Sequence, residues 1–126
     1  GVMIELNCET DFVARTDQFK ALADEICLQI AATNPLAISA DRIDPAVIEA
    51  EKDIARNKAI LDGKKAEIVE KIVEGHIKKY CSEHSLLEQE LISDDKRTVK
   101  NLITEAITTT GENIQIARFA RFELGE

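Results

Sequence analysis

Apolar and polar positions alternate at the head of the chain, where Val2, Ile4, Leu6 and Cys8 are separated by Met3, Glu5 and Asn7. That is the two-residue period of a half-buried strand, expected over residues 2–8. The period then changes. Phe19, Leu22, Ile26 and Ile30 recur at spacings of three and four, with Ala23 and Cys27 filling the same face, which predicts an amphipathic helix. Thr16 is its expected N-cap, with Asp17 placed in the first turn to suit the helix dipole. Asn34-Pro35 is its expected end, because proline disfavours helical geometry in the residue before it.

After a loop over residues 36–42, Asp44-Pro45 supplies an N-cap and a first-turn proline for a second helix running to Leu61. A third helix is expected over residues 64–83, with Ile68, Val69, Ile72, Val73, Ile77 and Tyr80 on one broad stripe. Only the turn at Gly63 separates the two, so residues 44–83 should form an antiparallel helical hairpin. Outside its stripe the hairpin is heavily charged, and it is expected to project as an arm. Residues 85–95 fit either a short helical turn or irregular packing. Asp94-Asp95 leads into a fourth helix with Val99, Leu102, Ile103, Ala106 and Ile107 at helical spacing, ended by Gly111.

The tail, residues 113–124, predicts a second strand. Simple alternation puts Ile114, Ile116, Ala120, Phe122 and Leu124 on one face and Ala117 and Phe119 on the other, with Arg118 and Arg121 interrupting. A strand apolar on both sides needs cover on both sides. Helices can supply one cover and a second subunit the other, so a homodimer is expected, with Ile114, Ile116, Phe119 and Phe122 as its interface candidates. The fold class that results is α+β: one domain over residues 1–126, a small antiparallel sheet packed against helices, and a projecting hairpin.

Charge and composition narrow the partners. Acids outnumber bases 24 to 16, a net charge of −8, which opposes direct binding to a nucleic-acid backbone. No apolar run approaches the roughly 20 residues of a membrane span. The chain opens on Gly-Val-Met without a charged leader segment, so no signal peptide is expected and a fragment or processed chain is. Three widely spaced cysteines imply no disulfide framework and suit a reducing cytoplasm.

His76, Cys81 and His84 lie close in sequence, but their spacing matches no paired-ligand zinc pattern, and no glycine-rich phosphate loop occurs. A Cys-His nucleophile pair has no flanking signature to support it. No metal, no cofactor and no covalent catalysis are expected. What remains is the joint between the first strand and the first long helix, Thr10-Asp11-Phe12-Val13. On spacing alone, Thr10 is a cap and Phe12 the first core residue of the helix, stapled toward Phe19. In the other reading Phe12 is an exposed wedge for a partner's pocket, the usual form of an interface hot spot, with Asp11 placing negative charge beside it.

The stretch N-C-E-T-D-F-V-A-R-T-D-Q-F (Asn7 to Phe19) after an alternating strand resembles the signature of the elongation factor Ts family. The resemblance continues at I-V-E-G-H-I-K-K-Y (Ile72 to Tyr80), at L-L-E-Q-E-L-I-S-D-D-K (Leu86 to Lys96), and at G-E-N-I-Q-I-A-R-F-A-R-F-E-L-G. It covers essentially the whole chain, in order. It implies a guanine nucleotide exchange factor for elongation factor Tu, promoting GDP release during translation elongation. Thr10, Asp11, Phe12 and Val13 are then the partner-binding residues, Asp11 and Phe12 pressing near the nucleotide site and Thr10 and Val13 shaping the turn. The length resembles the family's short form, which has one core subdomain and pairs with itself. In the family a small helical domain and a further strand precede this point, so these residues are expected to lack both. The alternative of another class is a self-associating helical-hairpin interaction module without exchange activity.

Overall fold

The two ends of the chain pair with each other. The computed structural model describes residues 1–126 and sets strand β1 (Val2–Asn7) antiparallel to strand β2 (Gln115–Arg121). Between them run helices α1 (Asp11–Ala14), α2 (Asp17–Thr33), α3 (Pro45–Leu61), α4 (Ala66–His84) and α5 (Val99–Thr110). Single 3-10 turns occupy Ala40–Arg42 and Leu86–Glu88. The architecture is α+β, a two-stranded antiparallel sheet with its helices. No helix is long and apolar enough to cross a membrane.

Caps place the helix boundaries. The Thr16 hydroxyl accepts the Phe19 N–H at 3.2 Å to start α2, and Asn34 ends it in the left-handed region at φ 47°. Asp44 accepts the Ala46 N–H at 2.9 Å, with Pro45 in the first turn of α3. The start of α5 differs from expectation. Asp94 and Asp95 lie in the preceding turn, and the cap is Thr98, whose hydroxyl accepts from the Asn101 N–H while the Asn101 side chain accepts from the Thr98 N–H. Such a reciprocal box satisfies two otherwise orphaned donors.

The faces of β2 also depart from simple alternation. Glu5 faces Arg118 but Leu6 faces Ile116, so Ala117 is an extra residue in the ladder. A bulge of this kind shifts parity along the strand. Ile116 and Phe119, paired with Leu6 and Ile4, therefore both join the helices, as does Ile114 just ahead of the strand, while Arg118 and Ala120, paired with Glu5 and Met3, share the outer face with Phe122. The outer face is mixed, with Arg118 between the helix-packed residues and the apolar Ala120 and Phe122. Ile114 and Ile116, at 2% and 7% exposure, lie in the chain's own core. Phe119 is partly buried against the same core, and only Phe122 of the four interface candidates is exposed, at 69%. Arg121 points inward too, its guanidinium donating at 3.2 Å to the Ala31 carbonyl in the last turn of α2, where positive charge suits the helix dipole.

Two apolar clusters result. The larger joins Leu22, Ile26 and Ile30 of α2 to Val99 and Ile103 of α5, with Ile38, Leu86, Leu91, Ile114 and Ile116 completing it. The segment 85–95, for which the sequence left two readings, combines both: a 3-10 turn followed by irregular chain. Its Leu86 and Leu91 are in the core, and Ile92 is outside. A buried glutamine fixes it. The Gln29 amide donates to Gln89 Oε1 and to the Glu90 carbonyl, and Gln29 Oε1 accepts the Ile92 N–H at 3.0 Å.

The smaller cluster is the seam of the hairpin, where Val69 and Val73 pack on Ala55 and Ala59, with Ile77 beside them. The expected stripe is narrower than its six residues, since Ile68 and Ile72 remain exposed. A single partner helix presenting alanines covers one row of side chains and leaves the flanking row in water. Polar ties across the seam run from Glu51 to His76 at 3.0 Å and from Arg56 to Glu70 at 3.3 Å.

Candidate functional site

The joint between β1 and α2 is a helix of one turn followed at once by a second N-cap. Thr10 is extended, and its hydroxyl accepts the Val13 N–H, starting α1. Arg15 closes it, the Thr16 hydroxyl donates at 2.7 Å to the Val13 carbonyl, and Thr16 then caps α2. Because the chain changes helix between Ala14 and Asp17, Phe12 and Phe19 share no helical face. Phe19 is partly buried against the main core, whereas Phe12 is 81% exposed. The expected staple of Phe12 toward Phe19 is absent, and the exposed geometry is the one found.

Asp11 is also exposed and lies 3.4 Å from Arg15 one turn on. An ion pair this open to water contributes little to stability. Val13 is partly buried, which leaves Asp11 and Phe12 as the outward-facing pair of the turn.

A residue that the sequence reading missed holds this turn. Gly111 ends α5 in the left-handed region at φ 72°, and the reversal delivers Glu112 to the joint. One carboxylate oxygen of Glu112 accepts the N–H groups of Glu9 at 3.1 Å and Thr10 at 2.9 Å, and the other accepts the Thr10 hydroxyl at 2.6 Å. In return Glu9 Oε1 accepts the Asn113 N–H at 2.9 Å. These charge-assisted bonds are the stronger kind. The Thr10 hydroxyl, helped by the two backbone donors and opposed by partial burial, holds the Glu112 carboxyl below the usual carboxylate range. The only local signal was a glutamate directly after a helix-ending glycine. Its partners lie about a hundred residues away, where periodicity does not reach.

The residues weighed for zinc or nucleophilic chemistry do other things. His76 pairs with Glu51 across the hairpin, and the His84 ring lies against Tyr80 with centroids 4.3 Å apart. Burial, and then the nearby Glu88, pushes the Cys81 thiol up, while burial and Asp24 do the same to Cys27. Thiols shifted in that direction are poorer nucleophiles at neutral pH. No group of three His, Cys, Asp or Glu side chains is placed to hold a metal ion.

Comparison with known proteins adds the family. The model described as Elongation factor TS matches residues 21–126. Among curated relatives, the elongation factor Ts of Oleidesulfovibrio alaskensis is 54% identical over 125 residues, 99% of this chain and 63% of that protein. That of Thermoanaerobacter pseudethanolicus is 53% identical over 126 residues, all of this chain and 62% of that protein. That of Carboxydothermus hydrogenoformans is 52% identical over 126 residues, covering 58% of its length. The chain thus spans about three-fifths of the relatives it matches. The joint at Thr10–Val13 lies ahead of the residues matched by the family model but within the stretch shared with the relatives.

Proposed function

The chain belongs to the elongation factor Ts family, and on that premise we propose that it acts as a guanine nucleotide exchange factor, promoting GDP release from elongation factor Tu. The observation that carries this reading is Phe12, 81% exposed on a turn held by hydrogen bonds within the chain itself. A large apolar ring presented to water on a hydrogen-bonded turn suits insertion into a partner's pocket, because such bonds reduce the conformational entropy to be lost on binding.

The physical task is to weaken nucleotide binding without consuming anything. GDP in such a partner is held by backbone donors around its phosphates and by Mg²⁺. Phe12, entering between the partner's helices, displaces those donors. Asp11 beside it brings negative charge near a metal shell that tolerates little distortion. Linkage makes the effect reciprocal: a factor that weakens nucleotide is itself weakened by nucleotide, so incoming GTP expels it. No bond is made or broken on the factor's side, and the role needs no cofactor.

Self-association belongs to the same proposal. The outer sheet face is the surface that favours it, since Met3 and Phe122 are 72% and 69% exposed there. The direct test is release of a fluorescent GDP analogue from elongation factor Tu, with this chain and with a relative of full length as the comparison. Release accelerated by the chain supports exchange. Binding without acceleration overturns it and leaves an interaction module.

A further inference from the structure

We propose that Glu112 is the positioning residue of the exchange site: its carboxylate sets the orientation in which Phe12 meets the partner. The inference rests on the exchange reading and extends it to a side chain outside the joint. Paired strand ends at Asn7 and Gln115, so the ladder itself does not constrain residues 8–10. The clasp takes over where the ladder stops. Glu112 binds both N–H groups ahead of α1 and the hydroxyl that caps it, while Glu9 binds back to the Asn113 N–H.

The placement of these bonds carries the argument. The Thr10 hydroxyl donates to Glu112 and accepts from the Val13 N–H, so one side chain links the clasp to the helical turn that bears Phe12. A hydroxyl whose proton is committed to a carboxylate keeps its lone pairs aimed at the helix N–H groups. Removing the carboxylate frees the hydroxyl to rotate and leaves the Glu9 and Thr10 N–H groups to water. A turn of four residues has no internal ladder to compensate. Glu112 sits on the α5–β2 connection and Phe12 on the β1–α2 joint, so the first and last strands together hold the wedge.

The test uses this chain with GDP-loaded elongation factor Tu and four variants: Glu112→Ala, Glu112→Gln, Phe12→Ala, and Glu112→Ala combined with Phe12→Ala. Glu112→Ala should slow the maximal rate of GDP release about tenfold, with a smaller change in the concentration giving half-maximal rate, since orientation matters most in the strained complex. Glu112→Gln should recover part of the rate, because its amide oxygen still accepts backbone N–H groups. The double variant should be no slower than Phe12→Ala alone. Amide exchange at Glu9, Thr10 and Val13 should rise in Glu112→Ala while Ile26 and Val99 stay protected, which separates a loosened joint from a destabilised fold. If Phe12→Ala slows release and Glu112→Ala does not, or if the two effects multiply in the double variant, Glu112 does not act through Phe12. If Phe12→Ala itself leaves release unchanged, the exchange reading fails and the role of Glu112 in it falls as well.

Discussion

Replacing Phe12 and Phe19 with alanine, one at a time, tests whether the exposed ring serves interaction and the partly buried one the core. With the Phe12 residue 81% exposed, about a fifth of its area is shielded. For a ring of about 200 Å² that is roughly 40 Å², which at about 25 cal/mol/Å² comes to about 1 kcal/mol as an upper bound. Phe12→Ala should therefore lower unfolding stability by no more than about 1 kcal/mol. Phe19 is partly buried against the main cluster, so its truncation should cost about 2–4 kcal/mol, somewhat below the range for fully buried phenylalanines. Function should rank the other way. Loss of a central aromatic anchor should slow GDP release from elongation factor Tu about tenfold or more, about 1.4 kcal/mol in the barrier. Phe19→Ala should retain full exchange per folded molecule. Urea unfolding followed by circular dichroism gives the first quantity, and stopped-flow release of fluorescent GDP at saturating factor gives the second. A Phe12→Ala variant destabilised by more than about 2 kcal/mol, with unchanged release per folded molecule, would refute the wedge, because stability would then be its whole role.

Three other outcomes follow from the packing and the charges. Gln29→Leu keeps the volume roughly constant but leaves the Ile92 N–H and the Glu90 carbonyl without their partner, so it should cost about 2–4 kcal/mol in urea unfolding; a neutral result would mean water replaces the amide. Val73→Ala removes two carbons from the hairpin seam and should cost about 1.5–2.5 kcal/mol in that element, with amide protection falling in α3 and α4 and unchanged at Ile26 and Val99; a uniform loss would show that the hairpin is not a separate cooperative unit. Because the Glu112 carboxyl is lowered in the folded chain, its contribution is complete above the ordinary glutamate range and is lost as pH falls through the lowered value. The Glu9 and Thr10 amide resonances should accordingly titrate together, with a midpoint below that range, and a midpoint at or above it would contradict the clasp.

Where the sequence carried local information, it placed elements well. Thr16, Asn34-Pro35, Asp44-Pro45 and Gly111 each act on the backbone within a few residues, so their capping chemistry could be read without knowing the fold. The bulge at Ala117 could not. An extra residue in one strand is defined only by what lies opposite, and the same letters read as uninterrupted alternation put Phe119 on the wrong face and suggested two apolar sides. The hairpin stripe erred for a related reason: periodicity gives the angular width of an apolar face, but the partner decides how much of it is covered, and Ala55 and Ala59 cover a single row. The exposure of Phe12 lay between these cases. An aromatic at a helix start fits either reading until the break after Ala14 separates its face from that of Phe19, and that break depends on Thr16 starting a new helix instead of continuing the old one.

That same break explains how the chain keeps a phenylalanine in water without losing its conformation. On the first turn of α2 the ring would turn toward the Phe19 face and be drawn into the core by the gain of burying it. On a flexible loop it would pay the entropy of ordering in every encounter with a partner. A one-turn helix between two threonine caps avoids both outcomes: it is too short to align Phe12 with the core face of α2, and it is tied at one end to Glu112 and at the other to α2. The tie at Glu112 costs the core nothing, since every partner in the clasp is at the surface. The ring can therefore be oriented by polar bonds while the stability of the fold rests on a core of which it is no part, built on Ile26, Leu86 and Val99. Under the exchange reading, strain at the contact surface would then leave the interior of the fold intact.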